Sequence, residues 1–275
     1  MKSLKDVLKD RVYFSSLPLS IGIFRENLIK ISFPLLSDLL LVFIYGFIVT
    51  GYIAEVITNE MIRYGFEVSS AKQAYPQGIF FNEATKPILI RISLLILAMI
   101  LITYILFVIF QSFSFWYCRR ISKLREKGFF SYFGEFCKVN AFWFGIFVIY
   151  NIISYLDGLL SMSAGPGIFL DIFFLAMVYF ALISCSMLPE IKGFANIKRS
   201  FSLGIKKIDS LLPAYAIVLF VFFVINMVLT LSLRLGNAIF IFIGVFLLMP
   251  ALSWMRIYFM AVTKSQFSDK KFNKR

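Results

Sequence analysis

The chain has 275 residues, of which 60% are hydrophobic, and its mean hydropathy is +0.85. Soluble domains average roughly 45–50% apolar residues, and this composition excludes a water-soluble fold because the exterior of such a fold must stay wetted. The formal net charge is +13 and the chain has no histidine, which excludes histidine-dependent triads, histidine metal ligands and imidazole proton relays.

Six apolar windows are long enough to cross a membrane, which takes about 20 mostly apolar residues per helix. Their apolar runs are continuous, whereas the strands of a membrane β-barrel would alternate over about 10 residues. The sequence therefore predicts an all-α, polytopic integral membrane protein with six transmembrane helices. The third window is the shortest and is expected to begin within the amphipathic stretch before it. The windows are Ile31–Ile57, Pro87–Phe110, Ala141–Leu156, Ile168–Leu188, Leu211–Leu233 and Ile239–Val262.

The basic residues predict the orientation of the chain. Most of the 28 lysines and arginines lie in the first 30 residues, in segments 117–140 and 189–210, and after residue 255. By the positive-inside rule these parts face the cytoplasm. An even number of spans requires both termini to share a side, so we predict a multi-pass protein of the cell membrane with both termini cytoplasmic. The opposite side carries Arg63, Lys72, Lys86, Arg91 and Arg234.

This pattern divides the chain into an amphipathic cytoplasmic arm at 1–30, a six-helix membrane domain at 31–262 and a basic cytoplasmic tail at 263–275. The arm mixes acidic and basic residues, and no cleavage-like site follows the first apolar run. We therefore do not expect the arm to be a cleaved signal peptide. The lipid bilayer is the predicted partner of the basic tail, through attraction to anionic headgroups, and nucleic acid is not predicted as a partner.

A basic amphipathic stretch precedes the first, third and fifth spans. In segment 189–212, apolar residues recur at three- and four-residue steps, which is typical of one apolar helix face. The pattern predicts three helical hairpins, each introduced by an amphipathic helix in the cytoplasmic interface. These helices either only anchor the loops or bind lipid headgroups or a partner, and the candidate headgroup contacts are Lys198, Arg199, Lys206 and Lys207. The apolar face comprises Phe194, Ile197, Phe201, Ile205, Ile208 and Leu212.

Two segments of the chain resemble known membrane proteins. The run GFANIKRSFSLGIKKIDSLLPAY (Gly193–Tyr215) resembles the segment between spans four and five of several uncharacterised prokaryotic six-span families. The opening RENLIKISFPLLSDLL (Arg25–Leu40) is similar to their entry into the first span. These families are similar to the membrane domain attached to some glycerophosphoryl diester phosphodiesterases. The resemblance implies the six-span layout, and it implies no catalytic residue because the phosphodiesterase barrel has no counterpart in this sequence.

Ionisable residues inside a span are costly in lipid and are therefore candidates for functional sites. Asp38 lies about seven residues into the first span, roughly 10 Å at 1.5 Å per residue, and its side chain is too short to reach the interface readily. We expect Asp38 either to be capped locally or to form a buried pair with Arg256, which lies in the sixth span near the same inner face, and we favour the pair. The alternative is a cation or proton site at Asp38.

A second group of charges lies near the outer face. We expect Glu55, Arg91 and Asp171 to form a small cluster there. A desolvated arginine needs carboxylate partners, and its planar guanidinium suits two of them. Such a cluster would join helix ends rather than bind a substrate.

The sequence contains no motif that supports an enzyme. It has no glycine-rich phosphate loop, nucleophile elbow or pair of catalytic acids, and its three cysteines show no CxxC spacing. We therefore predict no enzymatic activity, no cofactor and no metal. The predicted function is a non-enzymatic integral membrane protein that supports membrane organisation or a partner, either another membrane protein or a second copy in a homo-oligomer. The alternative is a small transporter or permease acting through Asp38, and a membrane-embedded lipid enzyme ranks third.

Overall fold

The computed structural model describes residues 12–74, 86–124, 128–161, 167–188, 190–234 and 238–267. Within these ranges the chain is helical and contains no strand. The rest of the predicted arm and tail, 1–11 and 268–275, lies outside the described residues. A π-helical segment, Tyr45–Ile53, joins the second and third α-helices. The helices are α1 (Val12–Glu26), α2 (Leu28–Ile44), α3 (Ala54–Ala74), α4 (Lys86–Ile121), α5 (Phe129–Ser161), α6 (Ile168–Met187), α7 (Gly193–Lys206), α8 (Ile208–Arg234) and α9 (Ala238–Phe267).

Six stretches in the described part of the chain are helical and are long and apolar enough to cross a membrane. Each coincides with one predicted window, so the prediction of an all-helical, multi-pass membrane protein is confirmed at this level. The continuous apolar runs are the reason, because a helix in lipid satisfies all its backbone hydrogen bonds internally. The stretches are Leu28–Glu67, Lys86–Ile121, Phe129–Leu156, Ile168–Met187, Ile208–Leu231 and Ile243–Gln266.

The third span begins at Phe129, well before the window at Ala141–Leu156. Its helix, α5, has a buried face that starts at Tyr132 and continues through Phe136 to Trp143. These positions follow steps of four and seven residues, which keep side chains on one side of a helix. The amphipathic stretch and the apolar window therefore form one unbroken helix.

The chain divides into two compact units. The first unit takes in the described residues up to Asp38 and those from Gln111 onward, and the second comprises Leu39–Phe110. Both boundaries between the units fall inside the predicted membrane domain 31–262.

The main core of the first unit lies where the C-terminal halves of α6 and α9 meet the start of α8. Tyr179 and Ile183 of α6 pack there with Leu211 of α8 and Tyr258 of α9. The Tyr215 hydroxyl donates to the Leu175 carbonyl over 3.0 Å, which satisfies a buried phenol. Aromatic and aliphatic side chains thus fix three spans together at one end.

Helix α1 packs along α9 through small residues. Ser16 and Ser20 are one turn apart and buried, so the two backbones approach closely. The Trp254 indole N–H donates to the Ser20 hydroxyl over 3.2 Å, and the Tyr258 hydroxyl donates to the Tyr13 carbonyl over 3.1 Å. These bonds attach the predicted interfacial arm to the last span.

The second unit contains the π-helical segment. Its backbone follows the i−5 pattern at its end, where the Ala54 N–H donates to the Val49 carbonyl. Glycines at 46 and 51 lie within the segment, and a Cβ at Gly51 would lie 3.4 Å from the Gly46 carbonyl oxygen. The wider π-turn therefore lies in the middle of the first long apolar stretch.

Candidate functional site

Asp38 and Arg256 form a buried ion pair in the first unit. The Arg256 Nη1 lies 2.6 Å from Asp38 Oδ2 and the Nη2 lies 2.9 Å from Oδ1. The two side chains are 2% and 1% exposed. Asp38 reaches this position because it continues the buried face of α2 after Ile31 and Pro34. The geometry is the bidentate fork that a planar guanidinium offers to a carboxylate.

Two residues of α4 form hydrogen bonds with the ion pair. The Gln111 amide donates from Nε2 to Asp38 Oδ1 over 3.2 Å and accepts at Oε1 from Arg256 Nη2 over 2.7 Å. The Ser114 hydroxyl lies 3.0 Å from Asp38 Oδ1 and 3.3 Å from the Pro34 carbonyl. A hydroxyl has one proton, and the shorter distance favours donation to the carboxylate. We call Asp38, Gln111, Ser114 and Arg256 the Asp38 network.

Aromatic and sulfur groups enclose the guanidinium. The Arg256 Cζ lies 5.2 Å from the centre of the Phe115 ring, within range of a cation–π contact. Cys118 is fully buried one turn further along α4, with its Sγ 4.0 Å from the Ser253 carbonyl. The Asp38 network therefore joins α2, α4 and α9 in a dry environment, where an unpaired charge would be costly.

A second buried arginine, Arg119, was not singled out from the sequence. Its side chain is 3% exposed. It donates from Nη1 to the Ser186 carbonyl over 2.9 Å and from Nη2 to the Glu190 carboxylate. Arg119 follows Ser112 and Phe115 on the buried face of α4, but only the packing of the helices shows which face of α4 is buried.

Three polar contacts fix α7 to its neighbours. The Gly193 N–H donates to the Glu135 carboxylate over 2.9 Å, so an α5 side chain caps the start of α7. The Ser184 hydroxyl lies 2.5 Å from Asn196 Oδ1, and the Tyr179 hydroxyl donates to the Gly204 carbonyl over 2.9 Å. Both ends of α7 are thereby held against α5 and α6.

The predicted apolar face of α7 is divided between the protein and its surroundings. Ile197 is buried, and the Phe201 ring lies 4.5 Å from Phe180 and 5.6 Å from Trp143 between ring centres. Phe194 and Ile205, in contrast, are 76% and 63% exposed. Ile208 and Leu212 beyond α7 are exposed as well. The buried side of α7 also includes polar or small residues, namely Asn196, Ser200 and Gly204.

The four predicted headgroup contacts lie on or next to the remaining surface of α7. Lys198 and Lys206 are exposed, and Arg199 and Lys207 are partly exposed. Lys198 and Lys206 are eight residues apart and share a face of the helix. The outer surface of α7 thus combines bulky apolar side chains with cations.

Of the residues predicted for an outer cluster, Arg91 has a carboxylate partner in the second unit. Arg91 Nη1 lies 3.0 Å from Glu60 Oε1, and the Glu60 side chain is 11% exposed. Glu55 is exposed in the first turn of α3, about 140° around the helix from Glu60 at 3.6 residues per turn. Arg91 therefore pairs with Glu60, a carboxylate that the sequence prediction did not include and that extends the buried face of Ile57. Asp171, in the first unit, is exposed in the first turn of α6.

Among the described residues, no group of three or more cysteine, aspartate or glutamate side chains is placed to hold a metal ion. The helices and the Asp38 network define the class of the molecule as an all-helical, multi-pass membrane protein with a buried ionic network. Comparison with known proteins found no matching family model, no matching curated protein and no matching solved structure.

Proposed function

We propose that the chain is a non-enzymatic integral membrane protein that binds anionic lipid headgroups through α7 and thereby supports membrane organisation or a partner protein. In this proposal the six spans form three hairpins in the cell membrane, each hairpin follows an interfacial amphipathic helix, and both termini are cytoplasmic. We also propose kinship with the six-span membrane domains that the segments Arg25–Leu40 and Gly193–Tyr215 resemble.

The surface of α7 is the observation that carries this proposal. One side of the helix is anchored by Asn196, Leu203 and Gly204. The other side exposes Phe194 and Ile205 next to Lys198 and Lys206. Apolar side chains beside cations are the composition of helices that lie in an anionic membrane interface. A helix fixed to the bundle by one side presents this surface without having to fold on binding.

The Asp38 network favours a structural role over transport. A cation or proton site needs a carboxylate with free acceptor capacity and a path for the ion. Asp38 Oδ1 instead has Arg256, Gln111 and Ser114 as neighbours at hydrogen-bond distance, and Oδ2 has Arg256. We therefore place the transporter second to the headgroup-binding protein.

The test compares lipid retention by the full-length protein and by matched charge variants. In native mass spectrometry we expect the wild type to retain phosphatidylglycerol in preference to phosphatidylcholine. Each lysine near an anionic surface contributes about 1 kcal/mol, so Lys198→Gln/Lys206→Gln should lower this preference about tenfold or more.

The control variant removes two exposed cations from the second unit, Arg63→Gln/Lys86→Gln. This variant lowers the net charge by the same amount as the α7 variant. The two residues that it changes are predicted to face the opposite leaflet. An equal loss of preference in both variants would indicate a general charge effect and would contradict the role of α7.

A further inference from the structure

An apolar groove runs between α1, α8 and α9 in the first unit. Its volume is about 530 Å³, within the range of about 300–1,000 Å³ of small-molecule sites. Ile225 and Ala251 are buried and form its floor, and Ile21 and Phe220 are exposed at its rim. The remaining lining residues are Phe24, Val221, Val224, Leu247, Pro250 and Trp254.

The lining has almost no group that could form a hydrogen bond with a ligand. Every lining side chain is apolar except for the indole N–H of Trp254, and that N–H donates to the Ser20 hydroxyl over 3.2 Å. Cavities lined in this way stay dry and accept hydrocarbon. A polar or charged ligand is therefore a poor match for the groove itself.

The position of the groove indicates that the hydrocarbon around it is lipid acyl chains. Its α8 and α9 walls belong to the stretches Ile208–Leu231 and Ile243–Gln266, which are apolar enough to span a membrane. Along α9 it extends from Leu247 to Trp254, roughly 10 Å at 1.5 Å per residue. Acyl chains are what surrounds such helices in a bilayer.

The shape of the groove favours a single hydrocarbon chain. The groove is about 10 Å long along α9 and holds about 530 Å³, and a hydrocarbon chain is much narrower than a helix, which is about 10–12 Å wide with its side chains. One acyl chain can therefore lie along the groove, and a helix of a second copy is the alternative that the test decides.

A cation stands next to the groove. Arg25 directly follows the lining residue Phe24, in the last turn of α1, and is exposed. A phosphate carries the complementary charge, and the guanidinium fork suits its oxygens. Trp254 also lines the groove and stacks on the buried Tyr258 with ring centres 5.2 Å apart, and tryptophan is enriched at membrane interfaces.

We propose that the groove holds one acyl chain of a membrane phospholipid, with Arg25 beside the phosphate. None of the lining residues belongs to α7, so occupancy of the groove is independent of the headgroup contacts proposed above. It requires only that α8 and α9 cross the bilayer.

The test uses the full-length protein in phosphatidylcholine nanodiscs that contain a small fraction of phosphatidylcholine with a diazirine in one acyl chain. After irradiation and digestion, we expect labelled residues to concentrate on the α8 and α9 walls of the groove. Phe223, Met227 and Phe246 lie outside it and are 64%, 65% and 77% exposed. Labelling that follows exposure alone would overturn the proposal.

Variants that fill the groove sharpen the test. Ala251→Phe fills the floor and Ile21→Trp fills the groove from its exposed rim, where folding is not at risk. We expect each to lower groove labelling about threefold, because packing contacts rather than the hydrophobic effect distinguish the groove from bulk lipid. Phe223→Trp, on the exposed side of α8, should leave groove labelling unchanged.

Three further outcomes decide the proposal. Arg25→Gln should lower groove labelling about twofold, because the phosphate of the labelled lipid would lose its charge-assisted hydrogen bonds to the guanidinium. Unchanged labelling in Ile21→Trp would overturn the proposal even if Ala251→Phe failed to fold. Labelling that disappears when two copies share one disc would assign the groove to a second copy and would overturn it as well.

Discussion

Asp38 shows how a carboxylate is made compatible with a span. Removing a charged group from water costs several kcal/mol, and only close partners with good geometry offset it. Arg256 donates to both carboxylate oxygens of Asp38. Gln111 bridges the two charged groups, because it donates to Asp38 and accepts from Arg256. Each member of the Asp38 network therefore depends on the others.

The network predicts a strong coupling between Asp38 and Arg256. Asp38→Asn and Arg256→Gln should each lower the free energy of unfolding by about 3–5 kcal/mol, because each leaves an uncompensated buried charge. The double variant should recover part of that loss. The measurement is thermal unfolding of the detergent-solubilised protein, analysed as a double-mutant cycle.

The control for this cycle is Arg234→Gln, which removes an exposed arginine at the end of α8. It should leave the unfolding midpoint within a degree or so of the wild type, since surface substitutions have small effects. Strictly additive losses in the cycle would show that the two charges do not stabilise each other, and would move the transporter ahead.

At the residue scale, the sequence carries information about how deep a residue lies in a span. Asp38 was singled out because its side chain is short and its position is well inside a span. Arg119 and Glu60 were missed because their burial depends on which side of the helix faces a neighbour. A charged residue near a helix end can face water or protein, and only the packing of the helices decides between them.

At the element scale, α7 has three kinds of surface rather than two. A periodic apolar pattern predicts a helix with one apolar face and one polar face. The structure instead buries Asn196, Ser200 and Gly204, and it leaves Phe194 and Ile205 exposed. Small and polar side chains pack closely against a neighbouring helix, so apolar spacing identified the helix but not the side that packs.

Gly204 is a position where α7 packs closely against α6. A Cβ there would lie 2.7 Å from Phe180 Cε1 and 3.0 Å from Ile183 Cδ1. We predict that Gly204→Ala destabilises the protein by about 1–3 kcal/mol, the usual cost of overpacking a core. Thermal unfolding in detergent measures this loss.

Gly134→Ala is the matched control, since Gly134 also lies inside a helix and a Cβ there would meet nothing within 4 Å. That substitution should be neutral or stabilise by up to about 1 kcal/mol, because alanine has the higher helix propensity. If Gly204→Ala behaved in the same way, the close contact between α6 and α7 would be wrong.

At the scale of the whole molecule, composition was sufficient for the number of spans but not for their grouping. Six continuous apolar runs can only be helices in lipid, and the described helices agree with all six. The division into two units, with a break after Asp38 inside α2, has no counterpart in the sequence pattern. Long-range contacts such as α1 on α9 leave no periodic signal of their own.

The orientation of the chain is the prediction that belongs to this scale. In a cysteine-free background, Ser70→Cys should react with an impermeant maleimide in intact cells. Ser268→Cys, in the basic tail, should react only after the membrane is permeabilised. The physical reason is the asymmetry of lysine and arginine between the two sides. Protection at position 70 together with labelling of the tail from outside would invert the topology.

The contact between α2 and α9 can form only after the ribosome has made α9. Asp38 and Arg256 are 218 residues apart, so at about 5–20 residues per second a ribosome makes the arginine about 10–45 s after the aspartate. During that interval the carboxylate of the first span has no guanidinium partner. The first span therefore gains its ionic partner only when the last span has been made, and a chain that ends before α9 leaves Asp38 without Arg256.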